Sequence, residues 1–326
     1  MLHTLARDIF ELTGNRIMKI ALIGLGGVGG YFGYQLLAAY KGNPNIQIDF
    51  IARGQHGAAI AEHGLQLFSN NIKLNALKPN RVLPRLPAEK YDLILICVKS
   101  YGLAQVLEDM PVDFLEGSVV IPLMNGLDHD AVIKKQLTRS VVLPSCVYVA
   151  SHLKAAGVIE HNGSMGRIIC GVDKSCNYDY SEITDIFSRV DIGFDLVDDA
   201  SLHIWKKFLF VASFGLVTAR FNVTFGEVLS SPVYLERVTA ISNEILKVAI
   251  AKGLNLDSSE ATRILETARQ FPSNTRSSLQ LDVHTGRGER TELDQFTIPV
   301  IRYGQEVGVD TFEIGLIRSE ILSLRG

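Results

Sequence analysis

Residues 19–33, KIALIGLGGVGGYFG, decide the fold of this chain. Residues 20–23 form a short apolar run, which is typical of a parallel strand buried on both faces. Residues 24–29 then have the spacing G-x-G-x-x-G, and an apolar helical stretch follows at residues 31–40. This spacing between a strand and a helix indicates a dinucleotide-binding turn. The alternative is a glycine-rich turn that binds no ligand.

Each glycine of the spacing has its own predicted role. We expect Gly24 to make the tight turn, Gly26 to let the backbone approach a pyrophosphate, and Gly29 to let the helix pack closely on the strand. The pyrophosphate would then lie on free N–H groups at the positive end of the helix.

The composition indicates a folded protein of about two domains in a reducing cytoplasm. The chain has 326 residues, of which 47% are hydrophobic and 21% charged. The net charge of −3 gives no electrostatic reason to expect nucleic acid or a membrane as partner, and no unbroken apolar run reaches a membrane span of about 18 residues. The cysteines show no C-x-x-C spacing, and Cys97 and Cys170 lie in apolar runs typical of buried free thiols. We assign no metal ligands.

We divide the chain into three segments. Residues 1–17 are a leader of uncertain status, whether a short helix, an added segment or a mis-assigned start before Met18. Asp8 and Glu11 interrupt any signal-peptide core within it. Residues 18–198 are predicted to form the dinucleotide-binding α/β domain, and residues 199–326 a helical second domain.

Three polar residues follow predicted strands directly. Arg53 comes after the second strand, Lys99 after the strand at residues 91–98, and Asn125 after the strand at residues 118–123. Because ligands bind beyond the carboxyl ends of parallel strands, we expect these side chains to share one crevice. Arg53 favours the 2′-phosphate of NADP(H) over NAD(H). The alternatives are a surface arginine, a loop lysine and an Asn-Gly turn.

The remainder of the first domain gives several local predictions. Residues 64–86 suggest a short antiparallel excursion, and residues 141–149 a single strand. The sequences GVIEHNG and GRIICGV suggest a hairpin that closes the sheet, before a helix at residues 181–190 and a short strand near Phe194. His161 has no adjacent carboxylate, so we expect it to be structural rather than catalytic.

The second domain is predicted from long helical patterns. Residues 202–219 are apolar nearly all round, which is typical of a buried core helix. Lys206 and Lys207 point about 100° apart on it, so one can face solvent and the other the cleft, and spacing alone does not choose. Further helices are expected at residues 227–253, 258–269 and 277–282, and from about residue 290, with Glu292 in the first turn.

The chain resembles the ketopantoate reductase (2-dehydropantoate 2-reductase) family from about residue 18 to its end. The matching segments are KIALIGLGGVGGYFG, Arg53, CVKSY, MNGL, IWKK, SSLQLD and RTELD, in the family's order. The resemblance implies a Rossmann-like NADPH-binding domain, an all-helical second domain and an active site between them. It also implies an oxidoreductase that reduces 2-dehydropantoate to (R)-pantoate in pantothenate and coenzyme A biosynthesis.

The resemblance also implies roles for individual residues. Lys207 matches the family's proton donor, and Ser278 and Asn125 would bind the substrate with it. The implied cofactor contacts are Gly24, Leu25, Gly26, Gly27, Val28, Gly29, Arg53, Lys99, Asn125, Ala150 and Glu292.

Departures from the family pattern leave the substrate open. Val211 and Gly215 stand where the family usually has asparagines that hold the substrate, and Thr275 replaces another family asparagine. Three hypotheses follow: a reductase of 2-dehydropantoate, a reductase of a less polar 2-oxo acid, and a non-catalytic NADP(H)-responsive binding protein. The sequence leaves the oligomeric state open as well, with a homodimer as one alternative.

Overall fold

The computed structural model describes residues 16–285 and 291–324. Its strands are β1 (Met18–Ile23), β2 (Ile46–Ile51), β3 (Gln66–Ser69), β4 (Ile72–Lys73), β5 (Arg81–Leu83), β6 (Leu93–Ile96), β7 (Val119–Pro122), β8 (Val141–Val142), β9 (Ser145–Tyr148), β10 (Ser151–Ala155), β11 (Val158–His161), β12 (Arg167–Gly171) and β13 (Gly193–Val197). Its helices are α1 (Gly27–Ala39), α2 (Gly54–His63), α3 (Leu103–Glu108), α4 (His129–Gln136), α5 (Ser181–Ser188), α6 (Ser201–Phe221), α7 (Phe225–Ser230), α8 (Pro232–Ala251), α9 (Glu260–Arg269), α10 (Ser278–His284), α11 (Leu293–Val307) and α12 (Phe312–Ser323).

A six-stranded parallel sheet forms the centre of the first domain. Its order is β5-β2-β1-β6-β7-β8, with every neighbouring pair parallel. This is the strand order of a Rossmann-like fold, so the predicted fold class is confirmed. The central strands β1 and β6 are almost entirely buried, which explains their continuous apolar sequences. The carboxyl ends of all six strands lie at one edge of the sheet.

Two predictions for residues 141–171 are wrong. The strand predicted at residues 141–149 is divided between β8 and β9, because the chain leaves the central sheet at Pro144, which has no N–H to donate to a ladder. The hairpin predicted between β11 and β12 does not exist. β11 pairs with β10 across a turn at Gly157 and with β3, whereas β12 pairs with β9 and β13.

Other predictions for the first domain are confirmed. The antiparallel excursion is the pair β3–β4, in which Phe68 faces Lys73. His161 is buried, and its ring nitrogens contact Ser69 Oγ at 2.9 Å and the Ser164 carbonyl at 3.0 Å, which gives it a structural role. Cys97 and Cys170 are buried free thiols.

The second domain is helical, with α6 at its centre. α6 packs against α8, α10 and α12 and contributes Trp205, Phe208 and Phe214 to the core. By length and composition α6 could cross a membrane, with a mean hydropathy of 1.2, but 61% of that apolar window is buried among the other helices.

Two helix boundaries in the second domain differ from the prediction. The helix expected at residues 227–253 is divided into α7 and α8, because Ser231 is extended and Pro232 begins the second helix. Glu292 immediately precedes α11 rather than lying in its first turn. Residue 290, where that helix was expected to begin, lies within residues 286–290, which are outside the described residues, as are residues 1–15 of the predicted leader.

Candidate active site

The glycine turn between β1 and α1 has the geometry predicted for it. Gly24 has a φ of +90°, which a side chain would strain, and its N–H donates to the Ile51 carbonyl at 3.1 Å. A Cβ added at Gly29 would lie 2.0 Å from the Gly24 carbonyl oxygen, so only glycine permits this approach of helix and strand. A Cβ added at Gly26 would meet no atom within 4 Å. The backbone is therefore open at the position where a pyrophosphate would approach.

The N-terminus of α1 fits an anionic ligand. Gly26 is the N-cap residue, no side chain caps the helix, and the first turn contains no acidic residue. The first N–H groups of a helix have no partner within the helix, and the helix dipole favours negative charge there. The residues of this turn therefore fit the pyrophosphate of a dinucleotide.

Arg53 lies at the carboxyl end of β2, as predicted, but it already has partners. Its Nε donates to the Pro84 carbonyl at 2.9 Å, and its Nη2 donates to Asp109 Oδ2 at 2.6 Å. The Arg53 side chain is 57% exposed, so it remains accessible at the rim of the crevice. A 2′-phosphate that binds Arg53 would compete with Asp109 for this guanidinium.

Lys99, beyond the end of β6, contacts two buried carboxylates of the helical domain. Its ammonium lies 2.7 Å from Glu292 Oε2 and 3.1 Å from Asp282 Oδ2, and these side chains are only 3% and 6% exposed. Burial lowers the pKa of Lys99, but the two carboxylates together outweigh it and the net pKa is raised. Sequence reasoning missed Asp282, although SSLQLD contains it, because nothing local connects it to Lys99.

Lys207 is the lysine of α6 that faces the cleft. Its ammonium donates to Asn125 Oδ1 at 2.7 Å, and it lies 5.7 Å from the centre of the Tyr148 ring. Lys206 instead forms an ion pair with Glu260 at 2.8 Å. The structure therefore answers the question that helical spacing left open.

The surroundings of Lys207 favour loss of its proton. Burial lowers its pKa, and the nearby Cys146 and Glu292 oppose this effect. Burial also raises the pKa of the Cys146 thiol. The cavity beside the ammonium is lined by Met124, Asn125, Gly126, Ser145, Cys146, Ile204, Lys207, Phe208 and Val211.

A hydrogen bond to the backbone carbonyl of Asn125 helps to hold this residue in place. Its carbonyl accepts a hydrogen bond from His129 Nε2 at 2.5 Å, and burial lowers the pKa of His129. Sequence reasoning missed His129, for which its position four residues after Asn125 was the available signal.

The other predicted site residues are less closely grouped. Ser278 is exposed at the start of α10, and among the described residues no hydrogen bond joins it to Lys207 or Asn125. The Ala150 carbonyl accepts from the Asn162 N–H at 2.9 Å. The roles of Ser278 and Ala150 stay predictions.

Two family descriptions together match most of the chain. "Ketopantoate reductase PanE/ApbA" matches residues 20–174, and "Ketopantoate reductase PanE/ApbA C terminal" matches residues 199–320. The chain belongs to the ketopantoate reductase family. It is 26% identical to an uncharacterized oxidoreductase, YkpB, of Bacillus subtilis (strain 168), over 83% of this chain and 87% of that protein. It is 26% identical to a 2-dehydropantoate 2-reductase of Pyrococcus horikoshii, over 90% of this chain and 93% of that one.

Solved structures share the whole fold. A PanE/ApbA family ketopantoate reductase from Ralstonia eutropha superposes with a TM-score of 0.83 at 23% identity, covering 94% of this chain and 98% of that one. A D-mandelate dehydrogenase with NADH and anilino(oxo)acetate gives 0.82 at 22% identity, covering 94% and 97%. A dimeric ketopantoate reductase from Staphylococcus aureus gives 0.76 at 18% identity, covering 94% and 99%. Membership in this family supports an oxidoreductase that uses a nicotinamide cofactor.

Proposed function

We propose that the protein is a cytoplasmic NADPH-dependent reductase that converts 2-dehydropantoate to (R)-pantoate in pantothenate and coenzyme A biosynthesis. The observation that carries this proposal is the contact between Lys207 and Asn125, which brings an ammonium of the helical domain to the carboxyl edge of the sheet. Ligands of Rossmann-like domains bind at that edge. The ammonium is therefore close to where a reacting ketone would lie.

The cofactor would be held by the glycine turn and by the side chains beyond the strands. The N–H groups at the start of α1 would bind the pyrophosphate, and Arg53 the 2′-phosphate. Lys99, Asn125, Ala150 and Glu292 would complete its contacts. When bound, the dihydronicotinamide supplies the hydride that reduces the ketone carbon.

Lys207 acts on the ketone oxygen in this mechanism. As the C=O double bond becomes a single bond, negative charge grows on the oxygen, and the ammonium stabilises it. The oxygen takes a proton from Nζ, and the neutral amine then regains a proton from water. Because burial lowers the pKa of Lys207, its ammonium is a stronger acid than that of an exposed lysine. Asn125 keeps the ammonium pointing into the cleft.

The choice of NADPH over NADH depends on Arg53. An arginine at the end of the second strand suits a 2′-phosphate, whereas NAD sites usually have an acidic residue there. The D-mandelate dehydrogenase of similar fold contains NADH, so binding of both NADPH and NADH should be measured by titration. We also propose a homodimer, by analogy with the dimeric relative.

A second candidate is a reductase of a less polar 2-oxo acid. Ile204, Phe208 and Val211 line one side of the cavity beside Lys207, and Val211 stands where the family usually has an asparagine that could bond a substrate hydroxyl. A site that lacks such partners binds the polar substrate less well. The lining thus favours an apolar side chain on the oxo acid. A non-catalytic binding protein is disfavoured, because it would not need Lys207 in the cleft.

A substrate panel tests these alternatives. NADPH consumption is measured with 2-dehydropantoate, 2-oxoisovalerate and phenylglyoxylate at equal concentrations. The highest kcat/KM for 2-dehydropantoate is expected from the first proposal, and a higher value for an apolar acid would select the second. NADPH binding without turnover of any 2-oxo acid would contradict both and support the non-catalytic alternative.

A further inference from the structure

His56 makes a bridge between the glycine turn and a neighbouring hairpin. It lies in the first turn of α2 and is half-buried. Its Nε2 is 2.7 Å from the Leu25 carbonyl oxygen, and its Nδ1 is 2.9 Å from the Gly157 N–H. The imidazole ring therefore joins three segments that are far apart in sequence.

The two contacts fix the tautomer of the ring. A backbone N–H can only donate, so Nδ1 must accept from Gly157. A carbonyl can only accept, so Nε2 must carry the proton that is shared with Leu25. A doubly protonated ring would place two donors against each other at Gly157. Burial also lowers the pKa of His56, in agreement with a neutral ring.

Leu25 is the residue between the first two glycines of the G-x-G-x-x-G. Because a peptide unit is planar and trans, the direction of the Leu25 carbonyl determines the opposite direction of the Gly26 N–H. Glycine itself imposes little backbone preference, so an outside contact is needed to hold this peptide plane. Of the described residues, His56 supplies that contact by its hydrogen bond to Leu25.

The space in front of Gly26 is the place where that direction matters. A Cβ at Gly26 would have no neighbour within 4 Å, and within residues 16–285 and 291–324 no protein acceptor takes the Gly26 N–H. A donor held towards open space at a helix N-terminus is pre-organised for an anion.

We propose that His56 is a positioning residue that holds the Leu25–Gly26 peptide ready for the cofactor pyrophosphate. The inference rests on the proposed cofactor but not on the substrate. The Gly157 contact serves to hold the ring, since it fixes the tautomer that donates to Leu25. Loss of His56 lets the peptide rotate, and the cofactor must then order it on binding.

Three substitutions of His56 distinguish its contact with Leu25 from its contact with Gly157. His56→Gln keeps an N–H at about the reach of Nε2, so it preserves the bond to Leu25. His56→Asn keeps an acceptor near the position of Nδ1, so it preserves only the bond to Gly157. His56→Leu removes both. The matched control is His63→Leu, at the exposed end of the same helix.

The readout is the dissociation constant of NADPH, measured by fluorescence titration of the full chain, together with the midpoint of thermal unfolding without ligand. We expect His56→Leu and His56→Asn to weaken NADPH binding by about three- to tenfold, the effect of one net hydrogen bond. His56→Gln and His63→Leu should bind within about twofold of wild type. Nitrogen-15 NMR of the ligand-free protein at neutral pH should show the Nε2–H tautomer of His56.

Three results would overturn the inference. These are equal NADPH affinity in His56→Gln and His56→Asn, an Nδ1–H tautomer, and affinity losses that follow the losses of thermal stability across all variants. If wild type binds NADPH and the variants bind it equally, only this inference fails. If wild type binds neither NADPH nor NADH, both the proposed function and this inference are wrong.

Discussion

The Lys207 ammonium donates a 2.7 Å hydrogen bond to Asn125 Oδ1, and this bond joins α6 to the loop after β7. One partner belongs to the helical core and the other to the carboxyl edge of the parallel sheet. The cleft therefore has an ammonium group on one wall and, on the other, the amide oxygen that accepts its hydrogen bond.

Lys207→Ala should lower kcat by about 10²–10⁴-fold, the range for loss of general acid catalysis. NADPH binding should be retained, because the glycine turn and Arg53 are unchanged. Lys206→Ala is the matched control, since Lys206 pairs with Glu260 on α9 and should keep turnover near wild type. For both variants, kcat is measured by steady-state kinetics and NADPH affinity by titration. Near-wild-type turnover by Lys207→Ala would refute the assignment.

The pH dependence of kcat should have an alkaline limb set by Lys207. Burial lowers its pKa below the ordinary lysine value of 10.5, and only the ammonium can donate a proton. Turnover is therefore present below this pKa and lost as the pH rises through it. Glu292 raises the pKa of Lys207, so Glu292→Gln should move the limb to still lower pH.

This limb is measured as kcat against pH at saturating NADPH. Asp294→Asn is the control, because Asp294 is exposed in the first turn of α11 and pairs with Arg318. An unchanged limb in Glu292→Gln would show that another group controls the alkaline loss.

Val211→Asn should shift substrate preference towards 2-dehydropantoate. The amide would offer the substrate hydroxyl a hydrogen bond that valine cannot make. This bond should raise kcat/KM for 2-dehydropantoate, relative to an apolar 2-oxo acid, by about two- to tenfold. The measurement is the ratio of kcat/KM for 2-dehydropantoate to that for 2-oxoisovalerate. Val233→Asn makes the same change at a side chain 63% exposed on α8 and should leave the ratio unaltered. If Val211→Asn lowers this ratio of kcat/KM values, Val211 does not contact the substrate hydroxyl.

Arg53→Ala should weaken NADPH binding by about tenfold or more and leave NADH binding nearly unchanged, because a charge-assisted hydrogen bond to the 2′-phosphate is lost. Asp109→Asn should have the opposite effect on NADPH, since it releases the guanidinium from its 2.6 Å ion pair. Calorimetric titration of both cofactors checks each variant. Equal losses for NADPH and NADH in Arg53→Ala would show that Arg53 does not contact the 2′-phosphate.

Local sequence was sufficient where the structure depends on neighbours along the chain. The turn at Gly24 and the close contact at Gly29 follow from the glycine spacing, because no other residue permits these conformations. The buried strands and the central helix α6 follow from continuous apolar runs. Pro144 and Pro232 were also visible in the sequence, but their effect of dividing a strand and a helix was not foreseen.

Strand pairing outside the central sheet could not be predicted from local patterns. β11 and β12 are consecutive strands in the sequence, yet they belong to different sheets. β11 packs against α1 together with β3 and β10, and a short window of sequence does not contain these partners. The contacts of Lys99 with Asp282 and of His56 with Gly157 are likewise long-range.

The sequence by itself determined the glycine turn between β1 and α1, the order of domains and the residue types of the candidate site, because these depend on backbone freedom, hydrophobic periodicity and motif spacing. Only the tertiary structure decided that Lys207 faces the cleft while Lys206 pairs with Glu260, and that Arg53 already has Asp109 as a partner. Side-chain partners are set by distances in space. A helical period fixes the angle between two lysines but not which of them meets the other domain.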